Sequence, residues 1–181
     1  MTDLTSGQST RQFTTVFIDA YRYWEGPHVG AAAYVVAFED RLLWGLGEAD
    51  DLDHLFGHGL EHALALLGDD CGPIRLRFLA WRGSFTRRIR RSAPMWLARG
   101  GVKANGETPR HFATWSRLYR MLKAGDLKLA WGGRREAGAL GEVAAVKLKE
   151  CLAEARRMDL KAGDRLARRG YRSGSEQLSS L

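Results

Sequence analysis

Cysteine is scarce in this chain of 181 residues. Cys71 and Cys151 are the only two, too few for a disulfide framework or a cysteine-built zinc site. No apolar run approaches the ~18 residues that a membrane span needs. Residues 1–10 are polar and lack the apolar core of a signal peptide, so the expectation is a cytoplasmic chain with no membrane partner. Neither a Gly-x-Gly-x-x-Gly pattern nor a phosphate-binding loop occurs, which leaves a nucleotide cofactor without support. The most informative absence is acidic: residues 74–106 contain nine Lys or Arg and no Asp or Glu.

What is present divides by charge. Residues 1–73 hold 3 basic and 12 acidic side chains, and residues 74–181 hold 25 basic and 9 acidic, balances of −9 and +16. Arg supplies 22 of the 28 basic residues, and its planar fork suits bidentate phosphate contacts better than an ammonium. A basic half points to a polyanion, most often nucleic acid. The alternative is a solvated surface that keeps the chain soluble. An apolar content of 45% fits one domain over 12–158, between an unstructured segment 1–11 and a basic, largely disordered tail 159–181.

Periodicity gives the order of elements. Residues 12–19 have the β-branched and aromatic content of a strand ending in Asp19. A Gly/Pro-bearing turn leads to strands at 31–38 and 41–46. Asp50 or Asp51 caps a helix to about residue 67, with Leu52, Leu55, Phe56, Leu60, Ala63 and Leu67 as its apolar stripe. Residues 74–81 alternate as a fourth strand. A basic helical stretch spans 84–99, interrupted near Pro94, and Thr108 with Pro109 opens another helix. A short strand at 127–131, a Gly- and Arg-bearing loop and a long helix over 140–157 complete the pattern. Three hairpin-linked strands followed by helix, strand, helices, strand and helix make an α/β protein: a mixed five-stranded sheet flanked by helices.

That order and several local matches resemble the type 1 ribonuclease H family over residues 13–157. The matches are Phe17 to Ala20 at the first strand, Gly26, Pro27 and Gly30 in the turn, and Trp96 with Arg99 and Gly100. Trp115 to Leu118 and Lys128 to Trp131 extend them. The resemblance implies a ribonuclease H-like fold and an endonuclease that cuts the RNA strand of RNA–DNA hybrids with two Mg²⁺ ions held by four carboxylates. Such chemistry needs closely spaced hard oxygen donors beside the scissile phosphate.

Carried over position by position, the first carboxylate is Asp19. Glu61 is the best candidate for the second. The third falls on Trp81, and no shift of register rescues it. The fourth falls on Ala145, with Glu142 one turn earlier, and the flexible-loop histidine falls on Arg135. An indole cannot coordinate Mg²⁺, so the resemblance implies a degenerate active site. The expected cofactor is none, or Mg²⁺ or Mn²⁺ if Asp19, Glu61 and Glu142 retain some hydrolysis.

The same resemblance makes the basic stretch a protrusion that grips the DNA strand. Its candidate nucleic-acid contacts are Arg82, Arg87, Arg88, Arg90, Arg91, Trp96, Arg99 and Lys103. Arg134 and Arg135 would extend the surface, and His111 falls near a phosphate-binding position. For Trp96 the alternative is packing within the protrusion. His54, His58, Glu61 and His62 fall on one face of the first helix, at a spacing that can bind a transition metal. No distant third ligand is evident in the sequence, and the pattern reads as polar surface. Three readings stand: a pseudoenzyme that binds RNA–DNA hybrid or double-stranded RNA, a divergent metal-dependent nuclease, and an interaction module for an acidic protein.

Overall fold

The computed structural model describes residues 12–23, 30–49, 51–79, 83–132, 134–161 and 172–178. Strands β1 (Thr14–Arg22), β2 (Gly30–Phe38) and β3 (Arg41–Ala49) form an antiparallel meander. Helix α1 (Leu52–Leu67) crosses over, and β4 (Ile74–Phe78) then pairs with β1 in parallel. Next come α2 (Gly83–Arg87), a wide π-turn (Arg88–Ser92), α3 (Ala93–Ala98) and α4 (Phe112–Ala124). Strand β5 (Leu127–Trp131) adds parallel to β4, α5 (Gly138–Lys161) packs back on the sheet, and β6 (Arg172–Gln177) pairs with β3. The strand order is β5-β4-β1-β2-β3-β6.

The sheet divides two cores. Val16, Ile18, Tyr34, Val36 and Phe38 face α1, the α2–α3 unit and α4, with Phe85, Trp96 and Trp115 on that side. Phe17, Ala31, Ala33, Val35 and Ala37 face α5, which buries Ala144, Leu148, Cys151, Leu152 and Ala155 at helical spacing. The column of alanines on β2 brings the α5 backbone close to the sheet. Strand β2 is buried along its whole length, as befits a strand covered on both faces.

Local chemistry sets the helix ends. Asp51 caps α1 by accepting from the His54 N–H at 2.6 Å. Gly68, at φ +77°, closes it by donating its N–H to the Leu64 carbonyl. The expected interruption near Pro94 is the π-turn, in which the Ala93 N–H reaches back to Arg88. One extra residue per turn spares Pro94 a helical N–H that it lacks.

Three expectations are corrected. The sheet has six strands, because residues 172–177, read as disordered from their serine content, form β6. Main-chain pairing holds β6, together with ion pairs from Lys147 to Glu176 and from Arg172 to Glu154. Gly174 lies flat on the Trp44 ring, where a Cβ would meet Cζ2 at 2.4 Å. Helix α4 begins at Phe112 rather than at Thr108, since His111 adopts a left-handed conformation, φ +56°. Helix α5 continues to Lys161, past the end expected at 157. Residues 1–11 lie outside the described residues. No helix among the described residues is long and apolar enough to cross a membrane.

Candidate nucleic-acid interface and histidine cluster

The basic unit from α2 to α3 is amphipathic. Phe85, Ile89, Ala93 and Trp96 recur at helical spacing and are buried, which turns Arg87, Arg90, Arg91 and Arg99 outward into solvent. The π-turn sets Ile89 in the core and Arg90 and Arg91 outside it.

Trp96 is 8% exposed and packs in the core. Trp96 thus follows the packing alternative rather than that of a nucleic-acid contact, since a base cannot reach a ring already enclosed by protein. Arg88 is half-buried: its Nε donates to Asp53 Oδ2 at 2.7 Å and its guanidinium lies 6.0 Å from the Trp96 ring. Lys103 Nζ lies 3.1 Å from Glu107 Oε2. Outside the segment, Glu136 similarly engages Arg77 at 3.1 Å. A stretch without acids in sequence thus receives acids from outside it, and among its described residues the exposed charge narrows to Arg87, Arg90, Arg91 and Arg99. Trp81 and Arg82 lie outside the described residues, as do the side chains of Arg134 and Arg135.

The candidate metal carboxylates do not converge. Asp19 is 2% exposed, and one of its oxygens accepts from the Ala20 N–H at 2.9 Å. By strand alternation it projects with Phe17 to the α5 side of the sheet. Glu61 projects from α1 on the opposite side, where Oε1 lies 2.9 Å from His111 Nδ1. Glu142 is exposed on α5. Among the described residues, the group of three or more metal-capable side chains within ligating reach contains none of these three. Paired Mg²⁺ or Mn²⁺ ions need several hard oxygen donors around one centre. The described residues form no such group of oxygen donors.

What does converge is histidine. His54 and His58 are one turn apart on α1, and His111 at the start of α4 lowers its ring onto them. His54 Nδ1 and His111 Nε2 are 2.7 Å apart. The ring centroid of His58 lies 4.5 Å from that of His54 and 4.6 Å from that of His111. One nitrogen from each of the three falls within 4.8 Å of the others.

Gly57 makes room for this arrangement, since a Cβ there would lie 2.3 Å from His111 Cδ2. Burial first, then the neighbouring His111 and His54, push the His58 pKa down to about 4, against the opposing pull of Glu61. At neutral pH His58 is therefore an uncharged imidazole. His62 stands outside the group; its pKa is lowered by burial. The third histidine was beyond sequence reasoning, because 57 residues separate it from His54. A cavity of about 580 Å³ opens beside the cluster, lined by His54, His111, Asp53, Arg88, Lys103 and Arg110 among others.

The chain has a ribonuclease H-like fold. Among solved structures it is similar to the foamy viral protease-reverse transcriptase in complex with RNA/DNA hybrid, at 13% identity and a TM-score of 0.50, over 77% of this chain and 20% of that one. The foamy viral protease-reverse transcriptase in complex with dsDNA aligns at 12% identity and a TM-score of 0.52, over 76% of this chain and 92% of the other. A type 1 RNase H with the type 2 active-site motif, LC9-RNase H1, aligns at 14% identity and a TM-score of 0.49, over 77% and 73%. This chain thus spans one fifth of the length of the first of these. No family model matches the sequence, and no curated protein matches it.

Proposed function

We propose that this protein binds nucleic acid, as RNA–DNA hybrid or double-stranded RNA, without efficient hydrolysis. The observation that carries the reading is the single exposed edge of the α2–α3 unit, where Arg87, Arg90, Arg91 and Arg99 face solvent with no acid in their own segment. Arginines on one rigid edge can meet successive phosphates, release counterions and fix the register of a duplex without reading its bases. The foamy viral proteins of similar fold, described with RNA/DNA hybrid and with dsDNA, are consistent with a duplex as the ligand. Weak hydrolysis follows from the dispersal of Asp19, Glu61 and Glu142, because in-line phosphoryl displacement depends on charge concentrated at one point.

The test compares wild type with Arg87→Ala/Arg90→Ala/Arg91→Ala on fluorescent hybrid, double-stranded RNA and double-stranded DNA, and follows cleavage in Mg²⁺ and in Mn²⁺. Salt-sensitive binding that falls in the triple variant, without product, is the expected result. Metal-dependent cleavage abolished by Asp19→Ala would replace this reading with that of a divergent nuclease. Binding to an acidic protein but to no duplex would make the fold an interaction module.

A further inference from the structure

We propose that His54, His58 and His111 form a binding site for one divalent transition-metal ion of the Zn²⁺ class, oriented by Glu61. The donor set decides the class of ion. Three imidazoles suit zinc, cobalt, nickel or copper, whereas Mg²⁺ and Ca²⁺ require oxygen. Three protein ligands also leave a fourth position for water or an anion, as in open zinc sites.

The geometry meets three of the checks on a metal site: ligand type and number, an outer-shell partner and an entry path. His54 and His58 are four residues apart on one helix face, and His111 completes a facial trio within 4.8 Å. The carboxylate stands behind the ligand: Glu61 Oε1 lies 2.9 Å from His111 Nδ1. Accepting that N–H fixes the tautomer in which His111 Nε2 offers its lone pair to the cluster. A carboxylate behind a ligating histidine is the usual outer partner of such sites.

With His111 in that tautomer, His54 Nδ1 is the donor of the pair, whose nitrogens lie 2.7 Å apart. A tetrahedral ion with bonds of about 2.0–2.1 Å holds its nitrogens roughly 3.3 Å apart. The ion displaces the shared proton from His54 Nδ1 to solvent, His54 Nε2 takes up a proton in exchange, and the two rings separate by about half an ångström. Access exists, since His54 and His111 also line the neighbouring cavity.

Two further observations show that the trio is built. His111 is a non-glycine residue held at φ +56°, a conformation that persists only where the surroundings impose it. Residue 57 is glycine where a Cβ would strike the His111 ring. Hydrogen bonding among surface histidines requires neither feature.

The experiment uses the full chain without a histidine tag, stripped with chelator and titrated calorimetrically with ZnCl₂, with Co²⁺ absorption as a second readout. One Zn²⁺ per chain is expected, with visible Co²⁺ bands of a four-coordinate nitrogen-rich site. His54→Ala and His58→Ala should each weaken binding at least about tenfold, and Glu61→Gln by about 10- to 100-fold. Glu61 is 43% exposed, so the Gln variant should fold even if a histidine variant does not. The proposal is overturned if folded wild type takes up no stoichiometric Zn²⁺. It is equally overturned if the folded His54→Ala/His58→Ala variant binds Zn²⁺ as wild type does, or if the stripped chain captures inorganic phosphate at these histidines and no metal. None of these readouts involves the arginine edge, so this proposal and the nucleic-acid reading succeed or fail separately.

Discussion

Gly57 and His111 are fitted to each other: a Cβ on residue 57 would stand 2.3 Å from His111 Cδ2 and 2.6 Å from Cγ. Two opposing effects then act on Gly57→Ala. Alanine favours a helix interior over glycine by about 1 kcal/mol, whereas forcing a ring out of a packed position costs about 1–3 kcal/mol. The substitution should destabilise wild type by about 1 kcal/mol yet stabilise the His111→Ala background by a similar amount. Urea unfolding of the four members of that cycle measures the reversal; an equal effect in both backgrounds would show that residue 57 does not sense the ring.

The arginine edge predicts a salt slope. Removing one arginine–phosphate interaction lowers the dependence of log affinity on log salt by about 0.7–0.9. Arg87→Ala/Arg90→Ala/Arg91→Ala should therefore flatten the slope by about two to three units. The weakening should be alike for duplexes of different sequence, because phosphate recognition carries no base information. An unchanged slope would locate the binding surface elsewhere.

Asp53 joins α1 to the basic unit, accepting from Arg88 Nε at 2.7 Å and from Ser84 Oγ at 3.1 Å. Arg88 is about one third exposed, so solvent screening reduces the value of the pair. Asp53→Ala should cost about 1 kcal/mol, read as a lower urea midpoint. Freed from that partner, Arg88 should also raise duplex affinity at low salt.

The two thiols should differ in reactivity. Cys151 is buried on the sheet-facing side of α5, and desolvation pushes its pKa up to about 11. Cys71 is half-buried, with Arg117 Nη2 3.7 Å from its sulfur. Since the thiolate is the reacting form, iodoacetamide at pH 8 should label Cys71 first and Cys151 only after unfolding. Mass spectrometry of the labelled peptides reads the order directly.

Tyr34 makes stability sensitive to alkali. Burial, with Glu61 second, raises its pKa from 10 to about 12. The folded chain holds the phenolic proton more tightly than the unfolded chain does. Its contribution is complete below pH 10 and lost as pH rises through about 12. Tyr34→Phe should show a shallower fall in urea midpoint between pH 9.5 and 11.5 than wild type.

The meander, α1, β4, α4, β5 and α5 were legible because each carries a local signal. Asp51 caps α1, Gly125 closes α4 at φ +80°, and Ala144 to Ala155 form a stripe of period near 3.6. The histidine site was legible only by half. His54 and His58 reveal themselves through spacing, but His111 depends on how α4 docks on α1, and no local pattern encodes that docking. Glu61 drew notice as an acid, and its carboxylate lies 2.9 Å from His111 Nδ1. Charge misled in a related way: residues 74–106 look uniformly positive, yet Asp53 supplies the acid partner of Arg88 from a distant element. Strand β6 escaped because Arg172 to Gln177 offer no apolar alternation; main-chain hydrogen bonds and ion pairs hold it.

That strand has a consequence for how molecules of this protein behave toward one another. Without β6, the outer edge of β3 would present nine residues, Leu42, Leu43, Trp44 and Leu46 among them, with open amide and carbonyl groups. Such an edge is a template for strand addition between molecules. In its place stands a six-residue edge with Arg172, Glu176 and a glycine: short, polar and a poor invitation to another sheet. Deleting residues 172–178 would uncover that edge, and its main result would be self-association.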